Sequence, residues 1–129
     1  MIRSEELSFG YTSRHKVLNG ITLELGEGHI HGLLGCNGIG KTTLLKLMCG
    51  IMRPDSGTVT VDGMSPMRRD PRMFREMMII PEEFDLPNIS LEGYAKIASP
   101  FYPRFDMGQM RGYCAELGVN STDRLHSMS

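Results

Sequence analysis

Apolar and polar positions divide the chain into a strand-rich first part and a helical second part. Ile2, Leu7 and Phe9 fall in a run that predicts a strand over 2–9. A polar loop from Thr12 to Lys16 follows. Ile21, Leu23 and Leu25 then alternate with Thr22 and Glu24, the period-2 pattern of a half-buried strand. Gly26-Glu27-Gly28 turns the chain. Residues 29–34 read as a short buried strand that ends in a glycine-rich loop. Beyond it, Leu44, Leu47, Met48 and Ile51 recur at helical spacing. Gly50 is placed to cap that helix and Pro54 to stop it. Thr58-Val59-Thr60-Val61 predicts a strand leading into an Asp62-Gly63 turn, and residues 77–80 predict another, closed by Pro81.

The pattern changes near Pro87. Ser90 can cap a helix running from Leu91 towards Ala98, which the prolines of residues 99–103 break. Asp106 can cap a second helix with Met107, Met110, Cys114 and Leu117 on one face and Gly118 at its end. Strands and loop first, helices second, suit a mixed α/β core with a helical insertion.

Composition narrows the setting. A chain of 129 residues is long enough for one domain. No apolar run approaches the ~20 residues needed to cross a bilayer. Met1-Ile2-Arg3-Ser4-Glu5-Glu6 lacks the apolar core of a signal peptide. The expected location is therefore the cytoplasm, with any membrane link made through a partner. A net charge of -1 gives a nucleic-acid partner no general electrostatic support, and none is expected. Residues 67–75 carry four arginines, read as a solvated helix entry. The three cysteines show no CxxC spacing and the four histidines no ligand pairing, so the thiols read as reduced and structural. The eleven methionines read as packing residues.

The chemistry lies in Gly35-Cys36-Asn37-Gly38-Ile39-Gly40-Lys41-Thr42, which fits G-x-x-x-x-G-K-[ST] at every fixed position. Glycines let such a loop curl and point successive N–H groups inward. Those donors and the positive end of the following helix cradle phosphate oxygens. Lys41 supplies a mobile positive charge for the β- and γ-phosphates. Thr42 offers a hydroxyl oxygen to Mg²⁺. The loop by itself specifies a nucleoside triphosphate.

Residues 33–46, including Thr43 and the leucines around it, closely resemble the Walker A region of ATP-binding cassette ATPases. Arg53-Pro54-Asp55-Ser56-Gly57-Thr58-Val59 followed by Asp62-Gly63 resembles that family's next turn and hairpin. Phe9-Gly10-Tyr11 and Val17-Leu18 are similar to its adenine-stacking segment. The resemblance runs from Ile2 to about Glu92 and is looser from Gly93 onward. It implies a P-loop NTPase core with an N-terminal antiparallel β subdomain (together residues 1–86) and the start of a helical subdomain (87–129). It further implies ATP and Mg²⁺ as cofactors, Tyr11 stacking on adenine and Val17 packing beside it. A transmembrane permease subunit and a second cassette are the implied partners, at the inner face of the membrane. Phe101-Tyr102-Pro103-Arg104-Phe105-Asp106 is reminiscent of cassettes serving bacterial exporters.

There are departures. Glu82 stands where the family has a Gln that reaches the metal and the attacking water. A carboxylate can bind Mg²⁺ or accept from water, but it cannot donate. Reading 77–80 with Glu82 and Glu83 as a Walker B-like strand end is made awkward by Pro81. The family's Leu-Ser-Gly-Gly-Gln signature is not reached unless Met128-Ser129 begins it, in which case Ser129 meets the γ-phosphate on the opposite cassette. A truncated chain is expected, competent to bind but not to hydrolyse. Its strand at 29–34 should then lack its usual neighbours and hide by self-association or rearrangement. A soluble regulatory or ribosome- or DNA-associated cassette is an alternative, though no basic arm is present. A GTPase reading lacks an Asn-Lys-x-Asp guanine reader.

Overall fold

The computed structural model describes residues 1–82 and 85–127. Two compact units divide between Ile79 and Ile80. The first is built on an antiparallel sheet of order β2-β1-β3, with β1 Ile2–Phe9, β2 Leu18–Leu25 and β3 Ser56–Val61. Helix α1, Lys41–Met48, buries Thr43, Leu44, Leu47 and Met48. Leu44, Leu47 and Met48 join Leu7, Phe9, Leu18 and Val59 in one core, with Ile21, Leu23 and Leu25 of β2 packed against it. The alternation in β2 therefore does face the core, while Thr22 and Glu24 stay in solvent.

β1 does not keep a simple period of 2. Ser4 and Leu7 are both fully buried although an odd number of steps separates them. A bulge resolves the mismatch. The register shifts between Ser4 and Leu7 against β2 and between Glu5 and Ser8 against β3. Glu6 takes φ 48°, so one extra residue is turned out and the inward face is recovered. Both neighbours yield to it with glycine. A Cβ on Gly57, whose φ is +81°, would lie 2.3 Å from the Glu6 carbonyl oxygen. On the other side Gly20, at φ +64°, donates its N–H to Ser8 Oγ at 2.9 Å.

Helix α1 ends earlier than its apolar spacing predicts. Gly50 adopts φ 69°, and Ile51 lies past the end, 53% exposed. Two predicted strands are absent. Residues 29–34 and 77–80 form no ladder among the described residues. Ile30 and Leu34 are almost wholly exposed, as is much of Ile80. Their composition suits a sheet flanked on both sides, but apolar backbone becomes a strand only when a neighbour supplies its hydrogen bonds. The three-stranded sheet ends at β2 and β3, and neither edge pairs with these segments among the described residues. Between β3 and residue 77 lie a 3₁₀ turn, Pro66–Arg68, and the short helix α2, Pro71–Phe74, capped by Asp70. Arg72 binds Asp70 and holds that carboxyl down at about 2; Arg68, Arg69 and Arg75 are solvated, as the charge pattern implies.

The second unit contains α3, Leu91–Ala98, and α4, Met107–Glu116. Both predicted caps form: Ser90 Oγ accepts from Gly93 N at 3.0 Å, and Asp106 Oδ1 accepts from Gln109 N at 2.7 Å. Gly118 closes α4 with φ 67°. Of the four residues expected on one α4 face, Cys114 is buried and Leu117 is 78% exposed. Glu92 joins the two helices, receiving Arg111 Nη2 at 2.6 Å and Lys96 Nζ at 3.3 Å. Among the described residues no helix is long and apolar enough to cross a membrane.

Gly57→Ala should cost roughly 2–5 kcal/mol, combining left-handed strain with overpacking against β1, read as a fall in urea midpoint. Arg111 and Lys96 hold the Glu92 carboxyl below its usual range. The stabilisation this gives is present above the ordinary glutamate pKa and is lost as pH falls through the lowered value. Acid titration followed by circular dichroism should show that component in the parent chain and lose it in Glu92→Gln.

Candidate functional site

The glycine-rich loop runs from exposed, extended backbone into α1. Gly38 and Gly40 take φ +81° and +106°, which bends the chain so that α1 begins at Lys41. Ile39 N donates to Cys36 O at 3.4 Å, and Leu44 N to Gly40 O at 2.8 Å. No described protein group accepts from the amides of Gly38, Gly40, Lys41, Thr42 or Thr43. The first turn of α1 has no side-chain cap and no acidic residue. Its partial positive charge is therefore left for an external anion. This donor set fits a phosphate chain, the group the motif calls for.

Lys41 reaches back over the loop. Its Nζ donates to the carbonyl oxygens of Gly35 at 2.7 Å and Cys36 at 2.9 Å. An ammonium has three N–H donors, so one remains. Thr42 and Thr43 diverge. Thr42 is exposed beside the loop, whereas Thr43 is buried and its Oγ1 lies 3.0 Å from the Tyr11 hydroxyl. Among the described residues no cluster of three or more His, Cys, Asp and Glu is placed to hold a metal. A cation here would depend on the Thr42 hydroxyl and on phosphate oxygens.

Tyr11 and Val17 come to the same place. The Tyr11 ring is 63% exposed and stands perpendicular to Phe9, centroids 5.1 Å apart. Val17 N donates to Phe9 O at 2.8 Å and closes the intervening loop. Val17 also touches the phosphate loop: a Cβ on buried Gly40 would lie 2.8 Å from Val17 Cγ1 and 3.0 Å from Leu18 Cδ2. Asp55 adds a clasp absent from the sequence expectations, which placed it only in a turn. Its Oδ2 accepts from Gly10 N at 2.9 Å, and its own N–H donates to Ser8 O at 2.9 Å.

Glu82 is exposed in the second unit. Ser129 and Glu83 lie outside the described residues. The cysteines are free thiols; Cys114 is buried, but Cys36 is exposed in the loop, so the structural role expected of all three does not extend to it. Burial pushes the Cys49 thiol up.

Glycine-bent loop, helix start and antiparallel sheet define a P-loop NTPase fold. A family model described as ABC transporter matches residues 18–125, and the chain belongs to that family. The Ribose import ATP-binding protein RbsA of Hahella chejuensis is 33% identical over 130 residues, 93% of this chain and 26% of that protein. Its namesake in Geobacillus kaustophilus is 34% identical over 134 residues, 95% of this chain and again 26% of the relative. The chain thus spans about a quarter of the length of these relatives. A solved ATP-binding subunit of an ABC transporter superposes with a TM-score of 0.83 at 25% identity, over 96% of this chain and 54% of that one.

Gly40 and Gly38 share a positive φ, but only Gly40 is hemmed in. Gly38→Ala should cost roughly 1–2 kcal/mol and Gly40→Ala roughly 2–5, the difference reporting the contact with Val17 and Leu18, by denaturant melts of both variants.

Proposed function

We propose that this chain is the nucleotide-binding part of an ABC transporter's ATPase subunit and binds ATP with Mg²⁺. One observation carries the reading: uncapped amides at the start of α1 and the Lys41 ammonium converge on a loop that the exposed Tyr11 ring adjoins. In this reading residues 1–86 are the first part of the nucleotide-binding domain and 87–129 the start of its helical subdomain.

The amides of Gly38, Gly40, Lys41, Thr42 and Thr43 orient the phosphates, and the unused Lys41 donor faces the β- and γ-phosphates. Cys36, Asn37 and Ile39 contribute backbone to the curl. Thr42 gives its hydroxyl to Mg²⁺, which when bound neutralises charge on the phosphates. Tyr11 and Val17 present an apolar wall to adenine. Glu82, as a carboxylate, contributes a further acceptor for metal or water. Ser129 is assigned to the opposing cassette's nucleotide. Hydrolysis belongs to the whole protein, paired with a second cassette and held at the inner membrane face by a permease subunit. The relatives' names favour import. The export reading rests on residues 101–106 alone.

Lys41→Ala removes one charged donor to phosphate and the clip on the Gly35 and Cys36 carbonyls. ATP affinity should fall roughly 10–150-fold, as expected for a charge-assisted hydrogen bond, in calorimetric titration. Unchanged affinity would remove Lys41 from the site.

A further inference from the structure

The far end of α1 meets the 3₁₀ turn Pro66–Arg68 at Gly50. A Cβ on Gly50, whose φ is +69°, would lie 2.8 Å from both the Cβ and the carbonyl oxygen of fully buried Pro66. Beside this close contact lies a cavity of about 270 Å³, lined by Gly50, Ile51, Met52, Arg53, Met67 and Arg69. It shares no residue with the loop 35–42. Ile51, Met52 and Met67 give it apolar surface, and Met52 packs against the core, which backs that wall. Arg53 and Arg69 give it charge. Among the described residues neither arginine forms a salt bridge. The acids nearest to them in sequence are engaged elsewhere: Asp55 accepts from Gly10 N, and Asp70 is held by Arg72. Arg69 also takes φ 52°, uncommon for a long side chain, and its N–H donates to Pro66 O at 3.1 Å. Held strain of this kind gathers where a residue has a ligand to meet. The negative end of α1 opposes an anion here only weakly, since the carbonyls of Leu45, Lys46 and Leu47 already accept from N–H groups of residues 49–52.

We propose that this cavity is a second anion site, separate from the phosphate loop, for a phosphomonoester carried on a short apolar body: Arg53 and Arg69 hold the phosphate, and Ile51, Met52 and Met67 take the carbon stem. A phosphomonoester is close to a dianion at neutral pH, which matches two guanidinium groups. The volume lies at the small end of ligand cavities, which run roughly 300–1,000 Å³, so the ligand is small. A soluble alkyl phosphate and the headgroup of phosphatidic acid share this chemistry.

The test follows methyl-labelled methionines of the whole chain by NMR, with Met52 and Met67 assigned through Met52→Leu and Met67→Leu. Hexyl phosphate should shift both methyls, and should do so at lower concentration than hexanol or inorganic phosphate. Arg53→Gln and Arg69→Asn should each weaken the response roughly 10-fold, the low end for a charge-assisted hydrogen bond because both arginines are exposed. Asparagine tolerates the left-handed backbone at 69, so the second variant reports charge rather than strain. Arg75→Gln, which lies outside the cavity, should change nothing. The response should persist with Mg-ATP present. Vesicles of phosphatidylcholine with and without phosphatidic acid separate the two sources. Sedimentation only with phosphatidic acid, reversed by hexyl phosphate, supports a lipid headgroup as ligand. Methyl shifts without sedimentation support a soluble one. Unmoved Met52 and Met67 methyls, an equal response to hexanol or to inorganic phosphate, full affinity in both arginine variants, or loss of the response to Mg-ATP would each overturn the site.

Discussion

Gly40 is where sheet, helix and loop meet, and the first unit depends on its lack of a side chain. It is buried between the end of the phosphate loop and the Val17-Leu18 start of β2. Its carbonyl receives the first hydrogen bond of α1, so its backbone sets where the helix begins. Its φ of +106° points that helix across the sheet, where Leu44 and Leu47 reach the core. A side chain here meets both strain and steric overlap, and the helix cannot retreat without uncovering Leu47, which has no exposed surface. The fixed spacing of the motif thus has two causes. Phosphate chemistry asks for a curled backbone, and packing asks that the last glycine touch β2.

The same contact explains why the aromatic segment is held beside the loop. Val17 leans on Gly40 with its side chain and closes back on Phe9 with its amide. Asp55 ties Gly10 and Ser8 from the turn before β3. The excursion between β1 and β2 is therefore fastened at both ends, and Tyr11 leaves it at a defined point. An aromatic ring held this way owes its position to sheet geometry more than to its own loop, whose residues 11–16 are exposed.

Much of this was legible in the sequence because it is local. The motif, both helix caps, the Gly50 and Gly118 stops and the alternation of β2 each depend on residues a few positions apart. What could not be read is long-range. Residues 29–34 and 77–80 have the composition of buried strands, but a strand is a relation between two segments, and no partner is found among the described residues. The bulge at Glu6 was visible only as a parity conflict between Ile2 and Leu7. Its resolution required knowing that Gly57 and Gly20 lie on either side. Nor does one-dimensional spacing say that adjacent threonines point apart. On a helix, neighbours are separated by about 100°, so one faces solvent when the other faces the core, but which is which follows from the packing of α1.

The double use of Lys41 has an energetic consequence. Its ammonium stitches two carbonyls that would otherwise repel a phosphate approaching the same mouth. By engaging them, the lysine cancels part of the loop's own negative potential and leaves the inward amides dominant. A loop of small residues with few internal hydrogen bonds cannot hold such a curl by packing, since Cys36, Asn37, Gly38 and Ile39 are all exposed. The positive charge that is read as ligand chemistry is then also the clasp of the empty-handed backbone. In the proposed reading of Lys41, a phosphate would take the third N–H and leave the other two bonds in place, so that little reorganisation would oppose the electrostatic gain.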